Sequence, residues 1–204
     1  MIRLARTNRS QIAEWWWTVD KWTLFALFCL MLIGGVLALA ASPAVAMRIH
    51  LPPFHFVYRQ LFFFVPTIAV MIGVSLLNIR QVRRLAAMGF LIAFGLMLLT
   101  LVIGPEVKGA HRWLQIGPLA IQPSEFVKPS FIVLASWMFA EAQRTPGFPG
   151  TIIALTLYGM VVGVLAMQPD FGQLMLVTMV FGAIFFMAGL SWRWIASLGT
   201  VAII

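Results

Sequence analysis

The chain has 204 residues, of which 62% are hydrophobic and only 10% charged, with a formal net charge of +8. A soluble globule carries about 25% charged residues, so this composition excludes that class and points to a polytopic membrane protein. The positive balance does not point to nucleic acid: the basic residues sit in short clusters beside apolar runs, where they orient a membrane protein and meet anionic headgroups.

Residues 1–21 read as a polar cytoplasmic tail ending in WWWTVDK. Trp15, Trp16 and Trp17 suit the headgroup level, where indole is half apolar and half polar. A spanning helix needs roughly 20 mostly apolar residues, and the first such run is 22–41. Ala44-Val45-Ala46 resembles a signal-peptidase site, but the run before it exceeds the ~7–15 residues of a signal sequence, so it reads as a retained helix. It holds the lone cysteine, Cys29, which has no disulfide partner in the chain and reads as a small buried apolar side chain. Pro43 and Pro52-Pro53 punctuate the loop that follows. His50 and His55 flank those prolines and are weak evidence for a metal.

A second span covers 56–77, RQVRR (80–84) reads as a short basic loop, and a third span covers 85–103. The polar stretch KGAHRWLQIGPLAIQPSEFVK (108–128) comes next. The fourth span must start near Pro123. The 12 residues from Pro129 to Ala140 make only about 18 Å of helix, whereas starting at Pro123 gives about 27 Å. Pro129 then lies inside the helix, predicts a kink there, and leaves the carbonyl of Glu125 without its helical partner. EAQRTPGFPG (141–150) is a loop by its Pro and Gly. A fifth span covers 151–167, the tight link QPDFG leads to a sixth at 172–190, and a seventh begins at 195 and runs to 204, as in the N-terminal part of a longer protein.

Charge sets the orientation. The tail and even-numbered loops hold Arg3, Arg6, Arg9, Lys21, Arg80, Arg83, Arg84, Arg144 and Arg193, and the other side holds Arg48, Arg59, Lys108, Arg112 and Lys128. The positive-inside rule then puts the N-terminus in the cytoplasm and turns 42–55, 104–122 and the QPDFG link outward.

Three groups could carry chemistry. Lys108, His111 and Arg112 form an outward basic cluster able to hold a phosphate or pyrophosphate, with Trp113 placed to stack on a sugar. The plainer alternative is snorkelling charge beside an interfacial tryptophan. Glu125 and Lys128, three apart, share a helix face, either as a structural ion pair or as the polar wall of a substrate cavity. Asp170 either caps the sixth span or lines the outward cavity as a base or cation ligand. Gln122 and Ser124 read as satisfying the start of the fourth span. There is no CxxC, HExxH, Walker or GxGxxG pattern.

KGAHRWLQIGPLAIQPSEFVK resembles the signature of the FtsW/RodA family, also called SEDS proteins, and QPDFGQ followed by FFMAGLSWRW resembles a second stretch of it. The long tail with WWWTVDK is closer to the division branch than to the elongation branch. The resemblance implies an all-α polytopic membrane fold: six complete transmembrane helices and the start of a seventh, of an expected ten. It implies a peptidoglycan glycosyltransferase that polymerises lipid II during septal wall synthesis at the bacterial inner membrane. Its partners would be a class B penicillin-binding protein and other divisome proteins, with no nucleic acid. A lipid II flippase, or a non-catalytic divisome scaffold, is the alternative. Lys108, Arg112, Trp113, Glu125 and Lys128 match the family's substrate-side positions and Asp170 its QPD aspartate. The family's catalytic aspartate is expected beyond residue 204, so these residues alone are expected to be inactive. No cofactor is implied with certainty; a divalent cation could assist the leaving pyrophosphate.

Overall fold

Apolar runs broken by Pro, Gly and charge become seven helices and one small hairpin among the residues that the computed structural model describes, 11–106, 109–117 and 119–189. The helices are α1 (Gln11–Thr18), α2 (Lys21–Arg48), α3 (His55–Ser75), α4 (Ile79–Ile103), α5 (Pro123–Arg144), α6 (Gly150–Met167) and α7 (Phe171–Met187). Strands β1 (Leu114–Ile116) and β2 (Leu119–Ile121) pair antiparallel, with Leu114 opposite Ile121. The expected start of a seventh span at 195–204 lies outside the described residues, as do the arginines at 3, 6, 9 and 193.

The chain divides into two units, Met1–Asn78 and Ile79 onward. In the first, α2 packs against α3. Asp20 caps α2 through the backbone N–H of Trp22. The Thr23 hydroxyl, then the amides of Trp22 and Thr23, hold its carboxyl below the usual range. The tail is not featureless: α1 forms in it, Trp15 Nε1 donates to Ser75 Oγ at the end of α3 (2.8 Å), and Lys21 lies over the rings of Trp16 and Trp17 at 5.2 and 5.3 Å. α2 also runs seven residues past its expected end, through Pro43. Proline removes one helical bond, but in apolar surroundings every other backbone group still needs an internal partner, so the helix continues. Cys29 is half-buried rather than buried.

The second unit is built around α5, which packs against α4, α6 and α7. On α4 the buried residues Ala86, Phe90, Ala93, Met97 and Thr100 recur every three or four positions, as one helix face requires. RQVRR is not a loop. It forms the first turns of α4, because arginine and glutamine favour helix and no Gly or Pro interrupts them. Arg83 there stacks over Trp137 of α5 at 5.1 Å. Likewise α5 carries on through EAQR and stops only before Pro146-Gly147, with Gly147 at φ +87°. Pro129 lies inside α5, as expected.

Phe181 of α7 is fully buried at the centre of this unit. Its ring stacks on Tyr158 of α6 with centroids 4.4 Å apart, and meets Phe131 and Phe139 of α5 at 5.8 Å each. α5 and α6 approach closely at Gly150, where an added Cβ would lie 2.1 Å from the carbonyl oxygen of Met138. Four helices, α2, α3, α4 and α6, are long and apolar enough to cross a membrane. The other two expected spans fall short for different reasons: α5 has the length but carries Glu125 and Lys128, and α7 is apolar but has 17 residues. Replacing Phe181 by alanine should remove the shared aromatic contact of three helices and cost on the order of 3 kcal/mol. Thermal unfolding of the detergent-solubilised protein checks this.

Candidate functional site

The polar residues expected to carry function gather in the second unit, around the end of α4, the hairpin, the start of α5 and the link between α6 and α7. The loop leaves α4 at Gly104. A Cβ there would sit 2.4 Å from the Thr100 carbonyl and 3.1 Å from that of Trp113, so only glycine lets the loop fold back this tightly. The Gly104 carbonyl lies 2.6 Å from His111 Nδ1, which must carry the proton and donate. His111 therefore braces the loop. Trp113 is half-buried just before β1. The hairpin was not expected from sequence. Gly117, at φ +61°, is the first of the two residues between its strands, a place where glycine suits a tight hairpin. Lys108 lies outside the described residues.

Arg112 reaches across to the α6–α7 link. Its Nη2 donates to the Pro169 carbonyl (2.7 Å) and its Nε to that of Gln168 (3.3 Å), while Nη1 pairs with Asp170 Oδ1 at 3.5 Å. Three of its five N–H groups thus face the protein's own link, and two remain on a side chain one-third exposed. Asp170 occupies the N-cap position of α7, but its carboxylate makes no cap bond. It pairs with Arg112 and accepts from Gln122 Nε2 at 3.4 Å. The carboxylate therefore does not cap α7, and the residue is 6% exposed. A guanidinium within reach attracts the carboxylate more strongly than a neutral amide does.

Gln122 and Ser124 do not satisfy the start of α5 either. Gln122 makes no cap bond, and Ser124 is buried with no hydroxyl partner among the described residues. Pro123 in the first turn lacks an N–H, and the Glu125 amide is taken by the Gln122 carbonyl at 3.1 Å, so fewer donors need a cap there.

Sequence reasoning missed Gln168. It is 2% exposed, and its Nε2 donates to Thr100 Oγ1 (2.6 Å) and to the Met97 carbonyl (3.2 Å). It ties the link to the end of α4. The one sequence signal was an amide set between apolar Met167 and a proline.

The second polar group lies on α5 and α7. Lys128 Nζ is 2.8 Å from Glu125 Oε2, as the spacing of three predicts. Gln173, also missed, completes the group: it accepts from Lys128 Nζ at 2.6 Å and donates to Glu125 Oε1 at 2.9 Å. Glu125 and Lys128 stand at one end of a groove of about 300 Å³, whose other lining residues, Pro129, Phe131, Ile132, Leu176, Val177 and Val180, are apolar. Among the described residues no three His, Cys, Asp or Glu side chains gather into a metal site, and His50 and His55 form none.

A helical bundle with apolar spans and an ion pair set into one of its helices defines a polytopic membrane protein with a polar site among its helices. Residues 21–204 match the model of the FtsW, RodA and SpoVE cell cycle proteins, and the chain belongs to that family. It is 46% identical over 200 residues to a Caulobacter vibrioides protein named probable peptidoglycan glycosyltransferase FtsW, covering 98% of this chain and 51% of that one. Among solved structures it resembles the rod shape determining protein RodA of Thermus thermophilus (TM-score 0.71, 26% identity), covering 91% of this chain and 60% of that one. It also resembles a chain of a peptidoglycan synthase complex that coordinates polymerization and crosslinking (TM-score 0.67, 28% identity), covering 92% and 53%. The chain spans about half the length of the curated relatives that it matches.

Asparagine caps helices as well as aspartate does, so Asp170→Asn separates the two roles of Asp170. As the charged partner of Arg112, Asp170 should lose about 1–3 kcal/mol of stability on becoming Asn. A melting temperature equal to that of the unsubstituted protein would restore the capping role.

Proposed function

We propose that the full-length protein is a peptidoglycan glycosyltransferase that polymerises lipid II for the septal wall, in the inner membrane, with its N-terminus in the cytoplasm and a class B penicillin-binding protein as partner. The observation that carries this reading is the groove between α5 and α7, with the Glu125–Lys128 pair at one end and apolar side chains along the rest. A lipid-linked sugar pyrophosphate has the same division: a charged head and a long apolar chain. The names of the relatives support the activity, and the peptidoglycan synthase complex supports the partnership.

Chain growth deprotonates a sugar hydroxyl while a pyrophosphate leaves. Lys128 supplies a cation beside the groove for the departing charge. Trp113 offers a half-exposed aromatic face to a sugar. Arg112 contributes chiefly by holding their loop on the α6–α7 link, and Lys108 adds charge to the same loop.

The test is polymerisation of lipid II by the full-length protein and its partner in proteoliposomes. Lys128→Met should lower kcat/KM by about 100-fold or more, the scale of losing one charge-stabilising donor, and Trp113→Ala by about 10-fold, the scale of one stacking contact. Lipid II crossing the vesicle membrane with no polymer formed would favour a flippase.

A further inference from the structure

We propose that Gln173 is a positioning residue that locks Glu125 and Lys128 into one neutral unit and aims the remaining N–H of Lys128 into the groove. The inference rests on the reading that this groove receives a lipid-linked substrate.

The three side chains form a closed ring. Lys128 Nζ contacts Glu125 Oε2 at 2.8 Å and Gln173 Oε1 at 2.6 Å, and Gln173 Nε2 returns to Glu125 Oε1 at 2.9 Å. Each carboxylate oxygen has its own partner, so the plane of the carboxylate is fixed. Without Gln173 the pair would be an i,i+3 contact on a single helix, and such pairs gain little and stay mobile. With it the pair is pinned to α7.

Residue type follows from the ring. The side chain from α7 must donate to a carboxylate and accept from an ammonium at once, and a primary amide does both. An ionised glutamate in its place would repel Glu125, a lysine would repel Lys128, and Met or Leu would offer neither bond. The network also dictates which way the amide faces: oxygen to Lys128, nitrogen to Glu125.

Exposure gives the ring a direction. The Lys128 side chain is 15% exposed and that of Glu125 49%. An ammonium has three donors, and the ring takes two. The third is left for an oxyanion entering the groove that Lys128 lines. Gln173 begins the third position of α7, three residues after Asp170, so the Arg112 clamp on the link also sets where Gln173 stands.

The experiment exchanges carboxylate and amide without changing volume, in the full-length protein with its partner: Glu125→Gln, Gln173→Glu and the double swap. Each single swap should lower kcat for lipid II polymerisation by about tenfold or more while KM moves less than about twofold, and the double swap should return kcat to within about threefold of the unsubstituted enzyme. A Gln173→Glu enzyme as fast as the unsubstituted one, or a double swap no better than the single ones, overturns the ring. Melting temperatures of the same four proteins read the ring without activity: both single swaps should lower the value and the double should recover it, and purely additive shifts overturn the proposal. Absence of polymer from the unsubstituted enzyme would defeat the functional reading alone, since the melting cycle still decides on the ring.

Discussion

The guanidinium of Arg112 lies against the three-residue link Gln168 to Asp170, and the positions of the other polar groups follow from that contact. The link turns the chain between α6 and α7, two largely apolar helices that also meet through Tyr158 and Thr178, 2.9 Å apart, and through the Tyr158–Phe181 stack. Carbonyls at a turn buried in the protein need donors, because water does not reach them there. Arg112 gives two, and Asp170 completes the neutralisation of its charge. Gln168 adds an independent tie from the same link to the end of α4. Loop, hairpin, α4, α5 and α7 are thereby referred to one point, and the Glu125–Lys128–Gln173 ring is built on the two helices that point positions.

How much of this was legible in the sequence depended on the range of each interaction. The Glu125–Lys128 contact follows from a spacing of three on one helix. The start of α5 at Pro123 follows from the length that a span requires. The Arg112–Asp170 pair joins residues 58 positions apart, and no periodicity links a loop to a distant turn, so Asp170 read as either a cap or a cavity-lining carboxylate. Gln168 and Gln173 drew no attention because an amide adds no charge and little polarity to an apolar run. Their importance appears only when three dimensions show that each has a donor and an acceptor to satisfy. Prolines misled in one place and guided in another. Pro43 did not end α2, since apolar helix lay on both sides of it, whereas Pro146 with Gly147 at positive φ did end α5. The hairpin was written in LQI-GP-LAI, a Gly-first connection between apolar triplets, but the density of charge before it made the stretch read as open loop.

Family membership accounts for the co-occurrence of the two motifs, and the geometry shows why they must occur together. The first motif supplies Arg112, Gln122, Glu125 and Lys128, and the second supplies Gln168, Asp170 and Gln173. The bonds of Arg112, Gln122, Glu125 and Lys128 to the link and to Gln173 each have one partner in each motif, while Gln168 also ties to Thr100 and Met97 of α4. The two polar groups nevertheless differ in kind. Asp170 and Gln168 are buried and tie the link to Arg112, Gln122 and the end of α4. Glu125 is half exposed and borders the groove.

The charge state of that second group explains how a lysine can stand in this setting at all. An isolated ammonium among membrane helices is costly and is retained only when paired. Glu125 supplies the opposite charge, but as a lone i,i+3 contact on one helix the pair would stay mobile. Gln173 takes a second N–H of the ammonium and donates to the other carboxylate oxygen, so the counter-charge is fixed in place. The ring of one acid, one base and one amide is neutral as a whole, and it joins α5 to α7.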